Sequence, residues 1–437
     1  MSHRFPPALS PTANVRRSCQ LLMEEPLVDC FLEEPSDLTS QRPTRTAPPV
    51  SKATRTVGIY STSLSKLAAK IAKQITEGSD SSSSSESIEW DADGWHYAGA
   101  NFARRPSANT PTKNDVEAQR VERVLLYILA LDAINFCFWP TEDESGASVC
   151  RKNLLEYEHL ATALRRMAEK DDISGAYEDG EGNKADTYDF SPNNLVNMTT
   201  KSLLSEVRAY LPRETEDGGC YHIPIASERV RLLNELGHGL IVHHNGSATS
   251  MLEKCIGPNG KPSAVKLVDI ITSTFRGFRD ESVDAKGRQV CFDKRAQIVT
   301  GDIWAAFGRG QKETLGSKLT DFDDMSELTT FADYRVPQLL RHVGVLRYSK
   351  ELSAKIDNMV ELPAGSSDEH FIRAGTVVAV DRLVGEVWCI LEDANAANNK
   401  IDEVSAVLLD WHLWQIGEKL DREGTLKPHH RVRTIFY

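Results

Sequence analysis

The 437-residue sequence lacks the features that mark several common classes of protein. Its longest apolar run, residues 124–131, falls far short of the roughly 20 residues that a membrane-spanning helix needs. No two of its eight cysteines form a CxxC pair, and HExxH, GxSxG, GxGxxG and GxxxxGKS/T patterns are missing. These absences disfavour a membrane protein, a zinc site, a serine hydrolase with a nucleophile elbow and a doubly wound nucleotide-binding fold.

An excess of positive charge is also lacking. Lys and Arg number 51 against 63 Asp and Glu, which gives a formal net charge of −12. Stable binding to DNA or RNA needs a basic surface, so it is not expected, although a local basic pocket for one phosphate is compatible with this balance. Scattered cysteines in apolar runs, with no secretory segment after Met1, predict reduced thiols in a cytoplasmic protein. The oligomeric state stays open.

Three polar segments interrupt the sequence. Residues 33–56 are rich in Pro, Ser, Thr and Arg, residues 78–87 are mostly Ser, and residues 169–187 are acidic and Gly-rich. We therefore expect residues 1–56 to form a poorly ordered or loosely packed N-terminal extension. Residues 57–437 are expected to form a single large helical domain, in which 78–87 and 169–187 are loop insertions.

Most of the remaining sequence has apolar residues at helical spacing. Ser227 is expected to cap one helix and Gly237 to end it, and Pro337 and Gly344 are well placed to bound another. The pattern predicts a mostly α fold with a minor β element: helices at 64–75, 116–135, 228–236, 265–275, 294–307, 337–343 and 401–420, and a short strand at 289–292.

Asp333 is the first candidate for chemistry. It follows the apolar residues Phe331 and Ala332 and precedes the helix predicted to start near Pro337. A carboxylate at a helix N-terminus is stabilised as an anion by the helix dipole. The alternative interpretation is structural: a helix cap, or a salt bridge to Arg335.

Two further acids have similarly suggestive surroundings. Lys294 and Asp302 share one face of a predicted helix, and Lys294 at its start is placed to receive a phosphate. Asp410 lies among Leu and Trp residues in the segment 408–414, where burial would raise its pKa unless it is paired. The structural alternatives are a partly solvated ion pair for the first and a paired core aspartate for the second.

Asp132 and Asn135 lie one turn apart at the end of the most apolar predicted helix. The aromatic residues Phe136, Phe138 and Trp139 follow, and they could stack on a planar ring or simply fill the core. The histidines have no metal-ligand spacing with a third partner, so neither a metal nor another cofactor is predicted.

Four segments in the same order resemble the queuosine salvage protein family, and the resemblance extends over about residues 115–437. They are DAINFCFWP at 132–140, FDKRAQIVTGDIW at 292–304, TTFADYRVPQLLRHVGVLRYS at 329–349 and LLDWHLWQIG at 408–417. The resemblance implies an architecture similar to the helical DNA glycosylases. It also implies an N-glycosylase, a hydrolase that cleaves the glycosidic bond of queuosine 5′-monophosphate without a cofactor. The products are ribose 5-phosphate and queuine, which is salvaged for the modification of tRNA.

The same resemblance implies a role for individual residues. Asp333 matches the catalytic acid, Lys294 a position facing the sugar-phosphate, and Asp410 a position that contacts the base. Asp302 would orient Lys294 or bind a hydroxyl, and Phe331 would stack on the base. The expected substrate-binding set is completed by Ala332, Trp411, Asn135 and His96.

Two other functions remain open at this level. One is a non-catalytic protein that binds queuine or tRNA, and the other is a glycosylase that flips a base out of duplex DNA. The net charge of −12 is unfavourable for binding tRNA or duplex DNA, each of which requires a basic surface, and the intact FADYR segment favours an active enzyme over a non-catalytic protein. The sequence therefore favours an enzyme that acts on a small nucleotide.

Overall fold

The computed structural model describes residues 10–27, 55–77, 113–139, 155–174, 188–210, 223–307, 314–394 and 404–437. Over these residues the fold is mostly helical with two small antiparallel sheets, which confirms the predicted fold class. The helices are α1 (Pro11–Met23), α2 (Ser61–Glu77), α3 (Lys113–Ala133), α4 (Tyr157–Ser174), α5 (Pro192–Val196), α6 (Thr200–Tyr210), α7 (Ala226–His243), α8 (Ala248–Glu253), α9 (Ala264–Thr274), α10 (Lys294–Ala306), α11 (Leu315–Thr320), α12 (Arg335–His342), α13 (Lys350–Asp357), α14 (Ser367–Asp393) and α15 (Ala406–Arg422).

The four strands form two pairs. Strand β1 (Val57–Ile59) pairs with β4 (Leu346–Tyr348), and β2 (Glu281–Val283) forms a hairpin with β3 (Gln289–Cys291). The second pair contains the predicted strand, and it leads directly into α10. No helix in the described part of the chain is long and apolar enough to cross a membrane.

The apolar side chains form two clusters that meet at the middle of the molecule. The α3-centred core gathers α3, α4 and α6 to α10, and the α14-centred core packs α14 against α1, α2, α12 and α15. Val407 on α15 belongs to the first cluster, whereas Leu409 and Leu413 belong to the second. Phe331 belongs to the α3-centred core and the next residue, Ala332, to the α14-centred core. The segment before α12 therefore lies at the boundary between the two cores, which we call the seam.

Part of the N-terminal extension differs from its expectation. Residues 11–23 form helix α1, whose side chains Val15, Cys19 and Leu22 are buried against α14 and β3. The apolar spacing of i, i+4 and i+7 was readable, and Pro11 begins this helix because a first-turn position needs no backbone N–H. The expectation of loose packing was therefore wrong for this helix, while residues 1–9 and 28–54 lie outside the described residues.

Helix α7 is longer than predicted at both ends. It begins after Ile225, without a cap from Ser227, and continues through Gly237 to His243. A Cβ atom at Gly237 would lie 2.6 Å from the carbonyl oxygen of Pro192 and 2.8 Å from the nitrogen of Val196. The glycine therefore permits close packing of α5 on α7 and does not end the helix.

The boundaries of α2, α3, α9, α10 and α12 agree with the predicted helices to within a few residues, whereas α4 to α6, α8, α11, α13 and α14 were not predicted. Helix α15 begins at Ala406, where Ser405 accepts a hydrogen bond from the Leu408 nitrogen, so the predicted start at 401 was too early. Residues 169–174 belong to α4, whereas 175–187 and 78–87 lie outside the described residues.

Replacement of Gly237 by Ala is expected to destabilise the protein. The added methyl group meets main-chain atoms of α5 that cannot rotate away, so we expect a loss of about 1–3 kcal/mol in the free energy of unfolding. Urea denaturation measures this change.

Gly385→Ala in α14 is the matched control, because nothing lies within 4 Å of its Cβ position. This substitution should stabilise the protein by about 0.5–1 kcal/mol. Equal effects of the two substitutions would contradict the packing argument.

Candidate active site

Asp333 lies at the seam, half-buried, immediately before α12. Its Oδ1 atom accepts hydrogen bonds from the backbone nitrogens of Arg335, at 2.9 Å, and Val336, at 3.1 Å. These bonds start α12 two residues before Pro337, so the cap interpretation is correct for one oxygen. The other oxygen, Oδ2, accepts no hydrogen bond from a described residue.

The alternative of a salt bridge from Asp333 to Arg335 is wrong. The Arg335 guanidinium instead bonds to Glu418 at 2.6 Å and to Asp421 at 3.0 Å, both on α15. It also donates to the side-chain oxygen of Gln338 at 2.6 Å. This arginine therefore joins α12 to α15 and leaves the charge of Asp333 uncompensated by its nearest cation in sequence.

Lys294 is buried at the first position of α10 and has no hydrogen-bond or ion-pair partner among the described residues. Burial lowers the pKa of its ammonium group, and the negative charge of Asp333 is the largest effect in the opposite direction. The carboxyl groups of Asp132 and Asp410 act in the same sense as Asp333. The structure thus gathers three acids around one lysine.

Asp410 is buried on α15 and bonds to the strand-like segment before Asp333. Its Oδ1 accepts hydrogen bonds from the Thr330 hydroxyl and, at 2.8 Å, from the backbone nitrogen of Phe331. Burial, followed by the negative charge of Asp333, raises the pKa of Asp410 to about 8. The predicted rise in pKa is confirmed, and Asp410 is a mostly protonated acid at neutral pH.

Two aromatic rings pack against the middle of α10 at Gly301. A Cβ atom there would lie 3.2 Å from the Phe331 ring and 3.3 Å from the Trp411 ring, so both rings approach because the residue is glycine. Trp304 stacks on Trp411 with ring centroids 6.4 Å apart. Phe331 is buried, whereas Trp411 is half-buried.

The end of α3 is tied to the start of α10 by a buried arginine. Arg295 donates to the carbonyl oxygens of Asp132, Ala133 and Gly277. These carbonyls would otherwise lack partners, because the last residues of a helix have no intrahelical donor. The same contact brings the Asp132 carboxyl group close to Lys294, the sequence neighbour of Arg295.

A second buried arginine supports the following turn. Arg229 on α7 donates to the carbonyl oxygens of Ile134 and Phe136, and both guanidinium groups lie over the Phe136 ring, at 4.5 Å for Arg229 and 5.3 Å for Arg295. Asn135, held in this turn, donates a 3.4 Å hydrogen bond to Asp132 Oδ1. Asn135 therefore orients an acid of the cluster, which the sequence did not indicate.

A cavity of about 120 Å³ adjoins the cluster. Its walls include Tyr334, which follows Asp333 and stacks on His429 with ring centroids 4.3 Å apart, and Tyr157 on α4. Asp333, Lys294 and Asp410 do not line it. Pockets for drug-sized ligands measure roughly 300–1,000 Å³, so this cavity does not hold a whole nucleotide by itself.

Asp302 is buried on α10, two turns after Lys294. Burial, and then the charges of Asp302 and Asp132, raise the pKa of Tyr157. The acids that act on the Lys294 ammonium group include Asp333, Asp132 and Asp410. The expectation that Asp302 orients Lys294 or binds a hydroxyl stays a prediction.

The predicted site residues thus fall into three groups. Asp333, Lys294 and Asp410 act electrostatically on one another, and the rings of Phe331 and Trp411 lie at Gly301 on the helix that begins with Lys294. Ala332 is buried, and its carbonyl oxygen accepts a 2.9 Å hydrogen bond from Arg373. Its observed contribution is therefore a backbone contact that holds the segment before Asp333. His96 lies outside the described residues. Within the described chain there is no group of three His, Cys, Asp or Glu side chains suited to a metal ion.

The raised pKa of Asp410 leads to a prediction for stability. Its ordinary pKa of 3.8 rises to about 8 in the folded protein, so the folded state holds this proton more tightly and ionisation destabilises the fold. The parent should therefore lose stability as the pH rises from 3.8 to about 8, whereas Asp410→Asn does not titrate at this position. The difference between the free energies of unfolding, variant minus parent, should increase by on the order of 1 kcal/mol per pH unit over this range and then level off. Urea denaturation at several pH values measures it. Val407→Ala, one turn earlier on α15, changes no charge and should show a difference that does not vary with pH.

Comparison with known proteins places the chain in a family. The queuosine salvage protein family matches residues 115–437. A queuosine 5′-phosphate N-glycosylase/hydrolase of Dictyostelium discoideum is 36% identical over 349 residues, which cover 79% of this chain and 85% of the relative. Proteins with the same name from Sphaerobacter thermophilus and Mus musculus are 37% and 30% identical over 72% of this chain and 82% of each relative. The chain belongs to the queuosine salvage protein family.

Proposed function

We propose that this protein hydrolyses the N-glycosidic bond of queuosine 5′-phosphate and releases queuine and ribose 5-phosphate. Family membership and the names of its relatives support this activity. The observation that carries the proposal is the unbonded Oδ2 of Asp333, set beside a buried lysine and a protonated acid. This combination supplies the charges that glycosidic cleavage requires.

Cleavage of a glycosidic bond passes through a transition state in which C1′ and the ribose oxygen become positively charged. Asp333 Oδ2 is the group that we assign to stabilise this charge. Because its Oδ1 is already held by two backbone N–H groups, the carboxylate is fixed before the substrate arrives, and fixed charges are the effective ones in catalysis. The C1′–N bonding electrons go to the base, and water then supplies the new C1′–O bond.

The leaving base needs a proton, or an equivalent hydrogen bond, as it departs. Queuine is a 7-deazaguanine, which has carbon where guanine has N7, so protonation at that position is excluded. Asp410 holds a proton at neutral pH because its pKa is raised to about 8 by burial and by Asp333. We assign Asp410 to donate that proton to another atom of the base, and the partly exposed Trp411 ring to stack on the base.

Lys294 is assigned to the phosphate end of the substrate. It stands at the N-terminus of α10, where backbone N–H groups and the helix dipole also favour an anion. We propose the nucleotide itself as the partner, without stable binding to nucleic acid. The five described cysteines are free, which supports a reducing, cytoplasmic location.

Asp333→Asn is expected to fold normally and to lose at least about 10²-fold in kcat, because the amide keeps the oxygen that caps α12 but removes the charge. Mass-spectrometric detection of queuine released from queuosine 5′-phosphate measures the rate. Asp333→Ala should be equally inactive and also less stable by about 1 kcal/mol, since the cap is lost.

Asp324 offers a matched control for this experiment. It also accepts hydrogen bonds from the backbone at a helix start, from the Ala264 nitrogen at 2.6 Å, but it does so at α9. Asp324→Asn should keep the parental rate. If Asp333→Asn released queuine as fast as Asp324→Asn, the role assigned to Asp333 would be wrong.

The assignment of Lys294 predicts a preference for the phosphorylated substrate. The parent protein should have a higher kcat/KM for queuosine 5′-phosphate than for queuosine, and Lys294→Met should remove most of this difference. Steady-state kinetics with both substrates measures it. An undiminished preference in Lys294→Met would show that the phosphate is bound elsewhere.

A further inference from the structure

Asp132 is a buried acid to which the function proposed above assigns no task. Its side chain has no exposed surface, and Asn135 holds only Oδ1. Its other oxygen, Oδ2, is buried with no hydrogen-bond partner among the described residues. A buried carboxyl group without a partner destabilises a fold, so its presence beside the candidate site calls for a functional reason.

The cation with the largest electrostatic effect on this acid is Lys294. Arg295 also acts on Asp132, but the two terminal nitrogens of its guanidinium group are bonded to the carbonyl oxygens of Asp132, Ala133 and Gly277, and only its Nε has no hydrogen-bond partner among the described residues. Lys294 has no such bond to a described residue. Several charged or titratable groups surround Asp132 and Lys294. They are Arg295 and Asp302 from α10, Arg229 from α7, Tyr157 from α4, Asp410 from α15, and Asp333 before α12.

The geometry points to Asp132 as a positioning residue that acts through Lys294, given the function proposed above. Its carboxylate is the second negative charge that keeps the Lys294 ammonium charged and in place while Asp333 engages the sugar. Asp333 is the strongest counter-charge of Lys294, and its field is shared with C1′ once that carbon becomes cationic. A buried lysine that loses its counter-charge tends to release its proton.

Asp132 suits this task because its carboxyl group gains or loses its proton near neutral pH. Burial raises its pKa to about 7, although the Asn135 hydrogen bond and the two cations of α10 oppose this rise. Asp410 is still protonated under these conditions, so it cannot replace Asp132. The Asp132→Asn side chain is uncharged at every pH, as the protonated form of Asp132 is.

The pH dependence of kcat for the parent and for Asp132→Asn tests this inference. The ratio of the two rates should be close to 1 at about pH 5.5 and should rise several-fold by about pH 7.5, where Asp132 is mostly ionised and Asp410 is still mostly protonated. A purely structural role for Asp132 would lower the rate of the variant by the same factor at every pH. A ratio that does not change with pH therefore overturns the inference.

Two controls separate this effect from general loss of an acid. Asp381 on α14, which pairs with Arg16 at 3.3 Å, lies outside the cluster, and Asp381→Asn should give a ratio that does not vary with pH. In a Lys294→Met background, Asp132→Asn should have no further pH-dependent effect, because the residue through which it acts is gone. A persistent effect in that background would contradict the inference.

A measurement without substrate distinguishes this inference from the proposed function. Acetic anhydride modifies neutral amines, so Lys294 should react several-fold faster in Asp132→Asn than in the parent, as measured by mass spectrometry of peptides. Equal reactivity would overturn the role of Asp132 whether or not the enzyme cleaves queuosine 5′-phosphate, whereas failure of the parent to cleave it would overturn only the function. Asp132→Ser serves as the second variant if Asp132→Asn does not fold.

Discussion

The contact of Arg295 with the end of α3 is the interaction on which the candidate site depends. Its guanidinium group is buried and donates to the carbonyl oxygens of Asp132, Ala133 and Gly277. One side chain therefore satisfies helix-end carbonyls and fixes the start of α10 against them. Lys294 is the preceding residue, so its burial beside Asp132 is a direct consequence of this contact.

The charges of the site are arranged at low solvent exposure, where each acts strongly on the others. One lysine lies within the field of three acids, and the acids differ in ionisation because their surroundings differ. Asp333 is half-buried and held by backbone N–H groups, whereas Asp410 is buried and keeps its proton near neutral pH. An anion for the sugar and a neutral acid for the base can thus coexist in one small volume, which is the division of roles that glycosidic cleavage needs.

The position of the site at the seam between the two cores explains how acids from distant segments come together. The residues Phe331 and Ala332 enter different cores, and α15 contributes side chains to both. Asp333 and Asp410 are therefore anchored from two sides. Such anchoring holds the charged groups in place without direct pairing, which would neutralise them.

Much of the fold was readable from the sequence, because the spacing of apolar residues along a helix depends only on local geometry. That spacing located α2, α3, α9 and α10, and the FADYR and LLDWHLW segments identified the family. The reading was wrong at Gly237, where glycine serves packing against α5. The packing of α1 was also missed, because a polar, Pro-rich stretch follows it.

Only the tertiary structure decided which of the candidate acids share one lysine. The two acids that act most strongly on Lys294 are Asp333 and Asp132, and both belong to segments distant from α10 in the sequence. The sequence determines helices and marks acids in apolar surroundings, since both are properties of neighbours along the chain. Which acid faces which cation depends on how separate helices pack, and no local pattern encodes the contacts through which Arg295 and Arg229 join them.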